Sequence, residues 1–245
     1  MRWSRALGAG ELPDEIELPA GTYRLERRMT HGFAAATAAY ARDGHRVVLK
    51  AGRRAPLLFL PLGWVGRWLT RREAAYLGAL QDLPGIPPLT ALVGDDALVH
   101  EFVEGRPMDK HDDLPAEFFD QLDALIAAMH ARGFAFTDLS KYENVLVGDD
   151  GRPWLVDLQT AWEHPAPPER RRRWLPDFVA RRVLLHLQAH DLHMCLRHRG
   201  RILPDSLSAE QRARLARRGF LHRLHHALTA PWRRRRRRRG VARRA

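Results

Sequence analysis

Apolar positions fall in short runs over the first hundred residues and recur every three or four positions further on. Runs at 23–25, 33–40 and 45–50 are divided by Thr30-His31-Gly32 and Arg42-Asp43-Gly44, whose glycines favour turns. The pattern predicts three strands of a small antiparallel sheet. The third run, Arg46-Val47-Val48-Leu49-Lys50, is β-branched and apolar until it ends on a lysine, which reads either as an edge charge left in water or as a cation held for a ligand. Residues 55–66 are apolar but broken by prolines, which predicts a loop or strand rather than a continuous helix.

A helical stripe of Leu69, Glu73, Leu77 and Leu80 comes next, and its one carboxylate sits among apolar neighbours. Two readings of Glu73 stay open. It closes a capping box begun at Thr70, or it waits for a cation from another element. Runs at 89–93 and 97–103 flank Gly94-Asp95-Asp96, a hairpin signal, and the second run continues into Glu104-Gly105-Arg106-Pro107.

From Pro115 the spacing of Phe118, Leu122, Leu125, Ile126 and Met129 predicts a helix, with Asp113 as cap and Gly133 as terminator. Two further apolar runs, 145–147 and 153–156, surround Gly148-Asp149-Asp150-Gly151 and predict a hairpin. Asn144 and Asp157 lie on the side away from its turn, so their oxygens fall at one end of adjacent strands. Helical patterns resume at 178–196 and after Ser208, where Ser208 and Gln211 fit a capping box. His186, His190 and His193 share a face of the first of these, read as a solvated polar face.

Length and charge narrow the picture. A chain of 245 residues with 45% hydrophobic content buries a sizeable core. The net charge of +12 owes nine arginines to the last fifteen residues, so the basic character is mostly that of a tail. The single cysteine, Cys195, cannot form an internal disulfide. No apolar run approaches the roughly 20 residues that span a bilayer, and the first fifteen residues lack the apolar core of a signal peptide. The expectation is a cytoplasmic protein with peripheral contact at the inner face of a membrane. The arginine run from Arg233 to Arg239, preceded by Trp232, reads as a disordered, solvated end when alone, with an anionic lipid surface as its first partner and nucleic acid as a poorer one.

Asp138-Leu139 followed by Asn144-Val145-Leu146-Val147, then Leu155-Val156-Asp157 after the hairpin, resembles the protein-kinase superfamily. The resemblance runs from about Tyr23 to Trp162. It implies an α+β, two-lobed protein-kinase-like fold, with a small antiparallel-sheet lobe at 1–103, a mainly helical lobe at 104–230 and the basic tail at 231–245. It also implies ATP and Mg2+ as cofactors, with Asp138 and Lys141 catalytic and Asn144 and Asp157 holding the metal. By the same likeness Lys50, aligned by Glu73, would hold phosphates under a loop at Gly32, and backbone at Glu101 and Val103 would meet adenine. Brevity after Asp157, with the segments at 191–199 and 203–208, resembles the bacterial branch of lipopolysaccharide core sugar kinases and RIO-type atypical kinases. The implied activity is phosphorylation of an alcohol on a sugar-lipid or a protein serine or threonine. Phe136-Thr137 stands where a histidine-bearing pair is usual, the interval from Asp138 to Asn144 is one residue longer, and Leu158-Gln159 replaces Phe-Gly. An inactive nucleotide-binding scaffold and a nucleic-acid binder acting through the tail are the alternatives.

Overall fold

The computed structural model describes residues 5–56, 60–164 and 176–216. Short apolar runs separated by turns build the first part. Strands β1 (Glu15–Leu18), β2 (Gly21–His31), β3 (Ala35–Arg42) and β4 (His45–Gly52) precede helix α1 (Gly63–Leu80), followed by β5 (Leu89–Val93) and β6 (Ala97–Glu101). They pair antiparallel in the order β1-β2-β3-β4-β6-β5. Asp43 and Gly44 both take positive φ, 50° and 81°, which gives the two-residue turn between β3 and β4 the twist a tight hairpin needs.

Each face of this sheet has its own role. Tyr40, Val47, Leu49, Ala51, Ala97 and Val99 pack with Ile16, Leu18 and Tyr23 in one apolar cluster. The opposite face carries Val48, Lys50, Leu98 and His100, since Val48 pairs with His100 and Lys50 with Leu98 across β4 and β6. Leu98 belongs to the second cluster, with Leu77 and Leu80 of α1.

The chain then runs through β7 (Gly105–Pro107), α2 (Ala116–Ala131), β8 (Phe134–Ala135), β9 (Val145–Gly148), β10 (Pro153–Leu155), β11 (Trp162–Glu163) and α3 (Asp177–Ile202). The helices and short strands enclose Phe118, Phe119, Leu122, Ile126, Met129, Phe136 and Leu139 in the larger core, to which α3 adds Met194 and the buried lone Cys195. Full burial of each such large side chain is worth roughly 1.5–3 kcal/mol. At Gly105, with φ 151°, a Cβ would lie 2.3 Å from the Val147 carbonyl, so only glycine lets β7 start against β9.

Several local expectations change. β1 was not foreseen, because four alternating residues are too short a signal. β2 continues through Thr30 and His31, so the turn there spans Gly32 to Ala35. α1 begins at Gly63, inside the apolar stretch expected to be loop or strand, because Pro61 lies before its first turn. Thr70 is therefore in mid-helix and donates to the Asp96 carbonyl at 3.1 Å, which rules out the capping box to Glu73. Pro115, not Asp113, is the residue at the N-cap of α2. Gly133, φ 80°, ends that helix as expected, and the Ser208–Gln211 box closes with reciprocal bonds of 2.8 and 3.1 Å.

One contact locks α1 to the sheet. A Cβ on Gly66 would come within 2.0 Å of the Arg53 carbonyl, and one on Gly52 within 2.7 Å of the Gly66 carbonyl. Two glycines thus let the helix start lie directly on the end of β4. The break after Trp162, at 165–173, and the arginine run lie outside the described residues.

Candidate active site

Lys50 ends the apolar stretch of β4 on the face that looks toward α1, and that placement decides its partners. Nζ donates to Glu73 Oε1 at 2.8 Å and to Asp157 Oδ1 at 2.6 Å, with Lys50 and Glu73 only 9% and 2% exposed. Burial alone would pull the lysine down, but the carboxylates of Glu73 and Asp157 outweigh it and hold the ammonium above its ordinary range. Burial pushes Glu73 up, against the pull of Lys50. Asp157 is held below the usual carboxylate range, since Lys50, helped by Lys141, overcomes its burial. One cation between two acids fixes three elements distant in sequence.

The candidate oxygen donors come from the loop between β8 and β9, which carries Asp138 and Asn144, and from Asp157 just after β10. Asn144 closes a short 3-10 turn at Tyr142–Asn144, is buried, and donates from Nδ2 to the Asp138 carbonyl at 3.1 Å. Leu155 pairs with Val145, and the Val156 N–H reaches the Asn144 carbonyl at 3.0 Å, so Asn144 and Asp157 emerge at the open end of the hairpin as expected. Lys141 Nζ donates to Asp138 Oδ2 at 2.6 Å, and this bond raises the lysine further. Thr137 and Asp157 both sit in the left-handed region, at φ 71° and 66°. A non-glycine residue there costs about 1–2 kcal/mol, which the surrounding bonds must offset.

Those bonds come largely from residues not singled out in the sequence. Asp191, fully buried in α3, accepts the Phe136 and Thr137 N–H groups at 2.8 and 2.9 Å and His130 Nε2 at 3.1 Å. His198, two turns on, donates from Nε2 to the Leu139 carbonyl and packs edge-on against Tyr142. α3 thus grips the loop on both sides of Asp138. Arg72 of α1 donates to the Ala161 carbonyl and tethers the segment after Asp157. Spacing held one clue: Leu184, Asp191, Met194, Cys195 and His198 share the buried stripe of α3, so a carboxylate stood at a core position.

The remaining candidates line the rim. Glu101 ends β6, and its carboxylate turns outward to His45 at 2.7 Å, leaving only its backbone for a ligand. Its carbonyl accepts from His100 Nδ1 at 2.8 Å. Val103, two residues on, enters no hydrogen bond among the described residues. Arg46 holds this linker by stacking on Phe102 at 4.0 Å and by bonds of 2.8 and 2.7 Å to Glu104. Gly32 sits at the tip between β2 and β3, but its N–H is already committed to the Ala35 carbonyl at 3.0 Å. Arg53 steadies the tip, donating to the Phe33 carbonyl at 2.8 Å with its guanidinium 4.2 Å from the Phe33 ring.

Asn144 and Asp157 offer amide and carboxylate oxygens, the hard donors that Mg2+ prefers, so the residues fit such an ion. No cluster of three or more His, Cys, Asp or Glu side chains arranged for a metal occurs among the described residues.

Residues 63–172 match the family model of the RIO domain, a little under half of the chain. The matched span includes Glu73, Asp138, Asn144 and Asp157 and begins after Lys50. Among solved structures, the chain is similar to the Rio2 kinase–ADP/Mg2+–phosphoaspartate complex from Chaetomium thermophilum, with a TM-score of 0.54 and 17% identity. The likeness covers 76% of this chain and 58% of that one. Comparison with curated proteins found no match. The fold is the two-lobed kinase-like α+β fold expected from the order of the motifs, and it is similar to that of the Rio2 structure.

Proposed function

We propose that the chain is an ATP- and Mg2+-dependent phosphotransferase of the RIO kinase type that phosphorylates an alcohol. The observation that carries this is the single ammonium of Lys50 placed between Glu73 and Asp157. A buried cation with two acids is costly as a purely structural device, since apolar residues of equal volume are often no worse. Its value lies in a preorganised charge for phosphate oxygens.

Each residue then has a task. Lys50, aligned by Glu73, meets the α- and β-phosphates. Asn144 and Asp157 hold Mg2+, which neutralises phosphate charge when bound. Asp138 orients the acceptor hydroxyl. The acceptor oxygen bonds to the γ-phosphorus as the bond to the β,γ-bridging oxygen breaks, and the acceptor proton passes to the Asp138 carboxylate. Lys141, against Asp138, balances charge on the transferred group. Backbone groups at Glu101 and Val103 meet the base, and the Gly32 tip covers the phosphates by proximity rather than through its own N–H. We take the acceptor to be a lipopolysaccharide-type sugar or a protein serine or threonine, and the setting to be the cytoplasm at the inner membrane face. No helix among the described residues is long and apolar enough to cross a membrane.

Thermal unfolding with ATP, with and without Mg2+, tests the reading. At a nucleotide concentration about 100 times Kd the stabilisation should reach about 2.7 kcal/mol, a Tm rise of roughly 5–10 °C. Asp157→Ala should remove its Mg2+-dependent part, and Asp138→Ala should abolish turnover while keeping nucleotide binding. A folded wild type indifferent to ATP defeats the proposal.

A further inference from the structure

His100 stands where β6 passes into the linker, on the sheet face that carries Lys50. It pairs with Val48 across β4, two residues from Lys50 on the same side, so its ring lies on the sheet face that carries the Lys50 ammonium. Its Nδ1 lies 2.8 Å from the Glu101 carbonyl. A carbonyl only accepts, so the proton of the neutral ring must sit on Nδ1, and Nε2 is left as a bare lone pair. Nε2 has no hydrogen-bond partner among the described residues and is not shut away from solvent.

We propose that His100 selects the base: its Nε2 lone pair accepts the exocyclic amine of adenine and repels the O6 carbonyl of guanine. This rests on the nucleotide-site reading above and deepens it. The amine carries two N–H groups, so the Glu101 carbonyl, which keeps a second lone pair, and His100 Nε2 can each take one. Guanine presents a lone pair to both. An uncharged ring is required for this, and burial, aided by the nearby Lys50 ammonium and opposed by Glu101, pushes the imidazole down to about 4.

The test is calorimetry on the full chain with Mg2+ and three nucleotides: ATP, GTP, and purine riboside triphosphate, which is ATP without the amine. Wild type should bind ATP about 30-fold tighter than GTP and roughly 5–10-fold tighter than the purine analogue. In His100→Met, ATP and the purine analogue should come within about threefold of each other and the GTP gap should narrow. His100→Leu repeats the comparison if the methionine variant does not fold. Equal wild-type affinity for ATP and the purine analogue overturns the assignment, as does an ATP preference that both variants retain, since the Glu101 carbonyl would then read the amine alone. In both cases Mg2+-dependent ATP binding leaves the kinase reading standing. If none of the three nucleotides binds, both fall.

Discussion

Asp191 Oδ1 accepts the Thr137 N–H at 2.9 Å across 54 residues of chain, and so holds a strained residue next to Asp138 in place. Asp191→Asn keeps the volume but replaces one acceptor with an NH2 group that faces donors. We expect a loss of about 2–4 kcal/mol in urea unfolding. On the proposed function, turnover should fall further than nucleotide affinity, because the loop and not the Lys50–Glu73–Asp157 cluster loosens; equal losses in both would show that Asp191 acts only on global stability.

Lys50 and Glu73 should respond unequally to substitution. Glu73→Gln leaves Lys50 its bond to Asp157, so a loss of about 1–2 kcal/mol is expected. Lys50→Met strands two partly or wholly buried carboxylates and should cost about 3–5 kcal/mol. Denaturant midpoints of the two variants check the order, and the reverse order would place the weight of the cluster on α1 alone.

Gly66→Ala drives a Cβ to within 2.0 Å of the Arg53 carbonyl and should destabilise by more than about 2 kcal/mol. Gly78→Ala, in the same helix with nothing within 4 Å of its Cβ, should gain about 0.5–1 kcal/mol. Thermal melts of the pair separate close approach from helix propensity.

The five residues at the centre of the site were legible because each sits at a boundary that sequence marks: Lys50 at the end of a β-branched run, Glu73 alone in an apolar stripe, Asp138, Asn144 and Asp157 around a hairpin. Their order along the chain carried the fold. What stayed hidden depends on contacts between distant segments. Asp191 and His198 look like ordinary helix polar residues until α3 is laid against the loop. The start of α1 is hidden because two prolines in an apolar run mask a helix that begins beyond the second, and nothing in the sequence shows that the Gly32 amide is spent on the Ala35 carbonyl.

Acidification gives a further check on His100. Its folded value of about 4 lies below the ordinary 6.5, so the unfolded chain takes up the proton first and stability falls as pH drops from 6.5 toward 4. His198, lowered by burial, acts in the same direction, whereas Asp157 loses its contribution only below the ordinary carboxylate value of 3.8. Unfolding free energy measured from pH 7 to pH 4 should therefore fall for wild type relative to His100→Met as the pH drops. Parallel curves would mean that the ring is freely hydrated.

Cys195 is the chain's single thiol, and burial beside Asp123 and Asp191 pushes it well above its ordinary range, so it stays protonated and inert to alkylating dyes at neutral pH. One cysteine introduced at the exposed Phe33 position would therefore be the only site labelled on the native protein. A fluorophore there would report whether the tip between β2 and β3 changes its surroundings when ATP and Mg2+ are added, with no background to subtract.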